Sequence, residues 1–227
     1  MIENNKDRIS IQVGLSGYSF SLETNGRQHS SGWMSADKVF TCVELQRRYS
    51  QVEMSLFTHK TTLVPNQFYD HENRRRALEE VVTLADGDSV SSVHIPEYGA
   101  VLVYSNSNGG TLSKVLRETV LKTDGTQAEI LPEHYYMIRQ LSGMTEYNKI
   151  VASYMDERLY LVIAQGSSLM LCNSFAAPDF TTAEYFIFLA MKKLQLNPEV
   201  STITFRTPLE PEQEMSLYRY FKSVELI

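Results

Sequence analysis

The sequence has few cysteines and no excess of positive charge. Its two cysteines, Cys42 and Cys172, lie far apart and each among apolar neighbours, so we expect buried free thiols rather than a disulfide. Lys and Arg number 21 against 27 Asp and Glu, which gives a net charge of −6 over 227 residues. Nucleic acids and anionic membrane surfaces both attract clustered positive charge, so this composition argues against either as a partner.

Long apolar runs are missing as well. No stretch reaches the roughly 20 apolar residues that a membrane-spanning helix needs. The most apolar segment, 185–194, is too short and includes two lysines, and residues 1–8 contain no apolar core of signal-peptide length. We therefore expect no membrane insertion and a cytoplasmic location.

Spacings typical of metal and catalytic sites are not found. The five histidines show no His-x-x-x-His spacing and there is no Cys-x-x-Cys, so the sequence predicts no metal site. Asp156 and Glu157 share a predicted two-residue turn, where adjacent carboxylates are expected to point into solvent. Arg74-Arg75-Arg76 is the only basic run, and on a helix it would spread over about 200°, so it cannot face one partner. No catalytic residue is assigned.

Alternating apolar and polar residues are what the sequence does contain. Residues 9–13 and 18–22 alternate on either side of Leu15-Ser16-Gly17, which predicts a β-hairpin. Further along, the pattern predicts helices over 35–49 and 71–84 and a helix that begins at Pro132.

The second half of the chain repeats the order of the first: three antiparallel strands, a helix, a strand, a helix and a strand. Thr181 and Glu184 fit a capping box at the start of its first helix. This order predicts an α/β protein with mixed sheets flanked by helices. We expect two lobes, 1–130 and 131–227, with an insertion near 61–98 in the first.

The doubled order resembles the superfold shared by actin, sugar kinases and the heat-shock chaperone ATPases, in which each lobe is ribonuclease-H-like. A closer resemblance is to a Bacteroidetes family of unknown function. The stretches that carry this resemblance are Ile9–Glu23, Thr62–Pro65, Leu169–Phe175 and Leu217–Tyr220. Proteins of this type also resemble the actin-like cytoplasmic components of type IV pilus and type II secretion machines, which act largely as assembly scaffolds.

The resemblance implies where ATP would bind in a catalytic relative. Three loops hold it: the first hairpin turn with an Asp and glycines, an Asp-Gly pair in the matching turn of the second lobe, and a late Gly-Gly loop. Glycine lets backbone amides approach phosphate closely, and carboxylates hold Mg²⁺. In this sequence the first turn keeps Gly14 and Gly17 but has Ser16 in place of the acid.

The other two loops depart from that pattern too. The second turn has Asp156 and Glu157 but no glycine, and residues 206–209 include Pro208, which has no amide donor, and no glycine pair. We therefore expect no ATP hydrolysis and no cofactor. The interpretation is a non-catalytic actin-like protein, a pseudoenzyme, that binds an unidentified protein partner as a scaffold or regulatory component; a homo-oligomer stays open.

Two alternatives stay open. The first is a divergent ATPase or phosphotransferase in which Gly14, Ser16, Gly17 and Asp156 bind ATP with Mg²⁺ around the interlobe cleft. The second is a small-molecule sensor with its ligand in that cleft. The positive indication for protein binding is a surplus of aromatic residues near 185–188 and 218–221, because spare aromatics on a helix surface are typical of protein interfaces.

Overall fold

The computed structural model describes residues 7–107 and 110–227. The strands are, in chain order, β1 (Arg8–Val13), β2 (Gly17–Thr24), β3 (Arg27–Ser30), β4 (Met34–Ser35), β5 (Arg48–Tyr49), β6 (Gln51–Leu56), β7 (Thr61–Pro65), β8 (Val90–Ile95), β9 (Ala100–Ser105), β10 (Leu121–Lys122), β11 (Ile130–Pro132), β12 (Asn148–Met155), β13 (Arg158–Gln165), β14 (Ser168–Ala176), β15 (Thr202–Phe205) and β16 (Ser223–Leu226). The α-helices are α1 (Arg74–Glu79), α2 (Gly110–Thr119), α3 (Glu133–Gly143), α4 (Phe180–Lys193) and α5 (Pro211–Tyr218). Within the described ranges, no helix is both long and apolar enough to cross a membrane.

Contacts along the chain divide it into two compact units. Among the described residues, the first holds 7–58, 85–89, 105–107 and 110–133. The second holds His59–Leu84, Val90–Tyr104 and His134–Ile227. The lobes predicted from the sequence, 1–130 and 131–227, are defined by a repeated order of elements, whereas these units are defined by contacts. The division into lobes therefore stays a prediction.

The first unit is built on a mixed sheet. Its strand order is β11-β6-β1-β2-β3, with β4 paired to β2. β1 and β2 form the predicted hairpin, with Val13 opposite Tyr18, while β6 runs parallel to both β1 and β11. Ile9, Ile11 and Val13 share one face because alternate side chains of a strand point to the same side, and that face is buried. Its core contains Ile9, Ile11, Val13, Phe20, Val39, Leu45, Met54, Leu56, Leu116 and Val120.

The second unit contains a sheet of the same kind. Its order is β14-β13-β12-β15-β16; β12, β13 and β14 are antiparallel, and β15 is parallel to β12 and β16. Helices α4 and α5 cover one face, and the core there includes Ile150, Leu161, Ile187, Phe205 and Leu217. A separate sheet, β7-β9-β8, belongs to this unit. Mixed sheets flanked by helices confirm the predicted fold class.

The helix predicted over 35–49 is wrong. Two short 3-10 turns and β5 occupy this segment instead. Val39 and Leu45 are fully buried, but Phe40 and Val43 are 70% and 60% exposed. The apolar residues therefore do not share one face, and an α-helix here would have gained too little burial to form.

The helices predicted over 71–84 and from Pro132 also differ from the structure. The first is much shorter, because only Arg74–Glu79 is helical. Val82 and Leu84 pack in the same apolar cluster as Leu78 without being helical, while Val81 is exposed. The second is present as α3, but it begins one residue later, at Glu133, because Pro132 is the last residue of β11. Within the arginine run, Arg75 forms an ion pair with Glu79 one helical turn away.

Helix α4 begins earlier than the capping box predicted. Asp179 is its N-cap, and the Asp179 carboxylate accepts a hydrogen bond from the Thr182 backbone amide at 2.7 Å. The box assigned to Thr181 and Glu184 is wrong, because Phe180 is already helical. One oxygen of Glu184 is buried and has no hydrogen-bond partner among the described residues.

Replacing Asp179 with alanine is expected to lower the melting temperature, because the Thr182 amide loses its acceptor. Hydrogen bonds from Thr182 hold the pKa of the Asp179 carboxyl below its usual range. A carboxyl with a lowered folded-state pKa stabilises the protein above its unfolded pKa, and this contribution is lost as the pH falls through the folded pKa. Differential scanning fluorimetry should therefore show that the melting temperature of Asp179→Ala falls further below that of the wild type near neutral pH than in acid. Asp179→Asn, which keeps an acceptor, is the control; a deficit that does not vary with pH contradicts the assignment.

Candidate functional site

The first predicted site lies at the turn between β1 and β2. The Gly14 amide donates a hydrogen bond to the Gly17 carbonyl at 2.9 Å, which closes the turn. Both glycines are buried, whereas Leu15 and Ser16 are exposed. The structure thus brings Gly14, Ser16 and Gly17 together on one hairpin turn, at the carboxyl end of β1.

Packing alone accounts for the glycine at position 17. A Cβ atom there would lie 2.1 Å from the Met34 carbonyl oxygen and 3.2 Å from the Trp33 indole nitrogen. Gly17 also pairs with Ser35, because β4 lies antiparallel to this end of β2. Only glycine permits so close a backbone approach, so its presence here does not require a phosphate.

The second predicted site is the turn between β12 and β13, in the second unit. Asp156 and Glu157 have φ angles of 51° and 56°, so both adopt the left-handed conformation of a two-residue hairpin turn. Asp156 is partly buried and Glu157 is exposed. The Glu157 carbonyl accepts a hydrogen bond from the Ala177 amide at 2.8 Å. No group of three His, Cys, Asp or Glu side chains that could hold a metal ion occurs in the described part of the chain.

The third loop follows β15 and makes its contacts within the protein. Thr207 is buried, and its hydroxyl accepts a hydrogen bond from the Tyr154 amide at 2.9 Å. The Arg206 amide donates to the Ala152 carbonyl at 3.0 Å, and the Arg206 guanidinium lies 5.7 Å from the centre of the Tyr136 ring. Pro208 has no amide hydrogen to offer. The Arg206 amide and the Thr207 hydroxyl are therefore used within the protein, and there is no glycine pair here to offer free amides.

A buried carboxyl group that the sequence analysis missed lies in the first unit. Glu133 follows β11 directly and is fully buried. The side-chain amide of Gln12 donates to one carboxyl oxygen of Glu133 at 3.3 Å, and the Ser55 hydroxyl donates to the other. The Ser19 hydroxyl in turn donates to the Gln12 side-chain oxygen at 3.4 Å.

The position of Glu133 is the one where this kind of sheet tends to place functional groups. Gln12, Ser55 and Glu133 stand at the carboxyl ends of β1, β6 and β11, which are parallel neighbours. Ligands of open α/β sheets bind outside the carboxyl ends of strands. Here the carboxyl group is enclosed by its own neighbours, so the cluster holds three strand ends together.

A pocket of about 480 Å³ lies elsewhere in the second unit. Its walls come from the 3-10 turn at Pro96–Tyr98 and from the ends of β7, β9 and β14, including Leu63, Pro65 and Leu169. A volume of this size falls in the range of small-ligand sites. None of Gly14, Ser16, Gly17 and Asp156 lines it.

Both cysteines are free, as predicted, but only Cys42 is buried as predicted; Cys172 is partly exposed. Burial and a hydrogen bond to Glu44 raise the pKa of the Cys42 thiol, and burial raises that of Cys172 to about 12. The nucleophilic form of cysteine is the thiolate, so neither residue is primed for covalent catalysis at neutral pH.

Solved structures with this arrangement of sheets define the class of fold. A crystal structure from Bacteroides thetaiotaomicron, of a protein with actin-like ATPase fold and unknown function, has a TM-score of 0.69 and 15% identity, over 100% of this chain and 94% of that chain. The PilM-PilN type IV pilus biogenesis complex matches with a TM-score of 0.53 and 12% identity, over 97% of this chain and 88% of that chain. The protein described here therefore has an actin-like ATPase fold.

A third structure is more distant. The cytoplasmic domain of EpsL, an inner membrane component of the type II secretion system of Vibrio cholerae, has a TM-score of 0.47 and 11% identity, over 90% of this chain and 82% of that chain.

The sequence itself matches a family model. Residues 1–224 match the family described as "Protein of unknown function (DUF3822)". The chain belongs to this family. No curated protein sequence matches it.

Proposed function

We propose that this chain is a non-catalytic member of the actin-like fold, a pseudoenzyme of the cytoplasm that binds another protein as a scaffold or regulatory component. One observation carries the proposal: each of the three loops that would hold ATP makes contacts of its own with the protein. An ATP site needs amides and carboxylates that stay unused until the ligand arrives. The fold alone does not supply them, because function depends on the site.

ATP with Mg²⁺ does not fit the residues at these loops. A polyphosphate needs several backbone amides within hydrogen-bond distance and at least one carboxylate for the metal. At the first turn the Gly14 amide is used by the Gly17 carbonyl, and Ser16 supplies no carboxylate. At the third loop Pro208 lacks an amide, and the Thr207 hydroxyl is already bonded to Tyr154. We therefore derive no reaction through a nucleotide.

The fold supports protein binding in a related case. The PilM-PilN structure is a complex of two proteins that act in type IV pilus biogenesis. We extend protein binding to this chain by analogy of fold, and the surplus of aromatic side chains in the second unit is the feature of this chain that agrees with it.

Affinity capture from the native host tests the proposal. The tagged full chain is captured from lysate with and without prior removal of nucleotide by apyrase, beside an unrelated tagged protein. We expect one partner in stoichiometric amount under both conditions, and the chain itself in the soluble fraction. The proposal is wrong if no protein is enriched over the unrelated control, or if capture requires ATP.

A further inference from the structure

Helix α4 carries apolar side chains on both of its faces. The inner face is buried in the core and consists of Ala183, Ile187, Ala190 and Met191. The outer face nevertheless carries Tyr185, which is 60% exposed, and Leu189, which is partly exposed. Phe188 lies between the two faces: it packs against the core and is partly exposed. Apolar side chains on the face of a helix that points away from the core are typical of a protein interface, so this part of the outer face of α4 has the composition of an interface.

The aromatic rings of α4 contact rings in the residues that follow α5. The Phe188 ring lies 4.9 Å from that of Tyr220 and 5.8 Å from that of Phe221, measured between ring centres. Tyr220 is 52% exposed, and Tyr185 precedes Phe188 by three positions, which places both on one side of the helix. We call Tyr185, Phe188 and Tyr220 the aromatic strip. Exposed aromatic side chains held by packed neighbours are typical of binding hot spots.

Four positive charges border one end of the aromatic strip. Lys192 follows Phe188 by one helical turn, Lys193 is next to it, and Arg219 and Lys222 flank Tyr220 and Phe221 in the chain. The Lys222 amide donates to the carbonyls of Pro198 and Ser201, in the segment that joins α4 to β15. All four cations are exposed, and none forms an ion pair with a described residue. Unpaired cations grouped in this way are unexpected on a chain with a net charge of −6.

We propose that the aromatic strip and these four cations bind an acidic amphipathic segment of the partner protein. This inference rests on the proposed function and adds the surface and the chemistry of the partner. Apolar side chains of the segment cover the rings, and its carboxylates pair with Lys192, Lys193, Arg219 and Lys222. The pairing of opposite charges supplies specificity and fast association, while burial of the rings supplies affinity.

Two other occupants fit less well. A second copy of this chain, joined through the same surface by two-fold symmetry, would bring four cations against the same four cations. An anionic lipid surface would attract these cations but repel the rest of a chain whose net charge is −6.

Selection from a phage-displayed library of random peptides, long enough for about four helical turns, tests the inference on the full chain. We expect the enriched peptides to alternate apolar and acidic residues at helical spacing. For a synthetic copy of the best peptide, measured by fluorescence anisotropy, Lys192→Glu/Lys193→Glu should weaken binding by about tenfold or more. Tyr185→Ser should also weaken it. The matched control, Lys38→Glu/Lys114→Glu, makes the same change in net charge at exposed sites of the other unit and should bind like the wild type.

Several results would overturn the inference. They are a selection that enriches no peptide, enriched peptides without acidic bias, and peptide binding that neither Tyr185→Ser nor the lysine variant weakens. Sedimentation of the chain with phosphatidylcholine–phosphatidylglycerol vesicles that the lysine variant abolishes would assign the surface to lipid instead. Dimerisation in light scattering that the same variant abolishes would assign it to self-association. If the wild type, Tyr185→Ser and the lysine variant all capture the native partner equally, this inference fails while the proposed function stands. If no partner is captured at all, the proposed function fails.

Discussion

Replacing Glu133 with alanine is expected to lower the free energy of unfolding by about 3 kcal/mol. The substitution removes the acceptor for both the Gln12 amide and the Ser55 hydroxyl, and Ser55 is itself buried. A buried hydroxyl such as that of Ser55, once its acceptor is removed, costs the free energy of its lost hydration, which is larger than the net gain from a satisfied hydrogen bond. The loss should be visible as a lower urea midpoint with little change in the slope of the transition.

Two further variants make the Glu133 experiment specific. Glu133→Gln keeps the size and one acceptor oxygen, so it should lose less stability than alanine. Glu129→Ala removes an exposed carboxylate four residues earlier and should change the stability by less than about 0.5 kcal/mol. If Glu133→Ala were as stable as Glu129→Ala, the buried cluster would not hold the strand ends together as described.

Replacing Gly17 with alanine is expected to cost about 3 kcal/mol, at the upper end of the penalties for overpacking. The new methyl group would lie 2.1 Å from the Met34 carbonyl oxygen, and because that atom is backbone, β4 as a whole would have to move away from β2. Thermal unfolding followed by circular dichroism measures the effect.

The control for this variant is Gly143→Ala at the end of α3. Apart from its two chain neighbours and the backbone of its own helix, no described atom lies within 4 Å of the position that its Cβ would take, so the change should be within about 0.5 kcal/mol of neutral. A Gly17→Ala protein with wild-type stability would mean that the close contact with β4 does not constrain the turn. The glycine would then need another explanation, such as a ligand.

The fold could be predicted where apolar residues alternate strictly. Ile9, Ile11 and Val13 lie on one face of β1, and a shift of one residue would turn all three into solvent, so the hairpin register follows from the sequence. Segment 35–49 could not be predicted in this way. Its apolar residues have roughly helical spacing, but Phe40 and Val43 point away from the core, which depends on the packing of distant strands.

The candidate site was predictable only in part. The missing acid at Ser16 and the missing glycines near Asp156 and Pro208 are visible in the sequence itself. The role of Gly17 against Met34 is not visible there, because the two residues meet only when β4 folds across β2. Glu133 was missed for a similar reason: Gln12 and Ser55 are far away in sequence and join it only through the parallel register of β1, β6 and β11.

The aromatic surface, too, could be predicted from the sequence only in part. Their surplus in the second half is evident from composition, and the helical spacing of Tyr185 and Phe188 follows from the sequence. The contact of Phe188 with Tyr220, which joins two helices into one surface, requires the packing of α5 beside α4.

Isothermal titration of the full chain with ATP and Mg²⁺ at millimolar concentration tests the central claim most directly. If the three loops are occupied by contacts within the protein, the titration gives no saturable heat and no phosphate is released. Saturable one-to-one binding, together with hydrolysis that Asp156→Ala abolishes, would contradict the claim and identify the chain as a divergent ATPase.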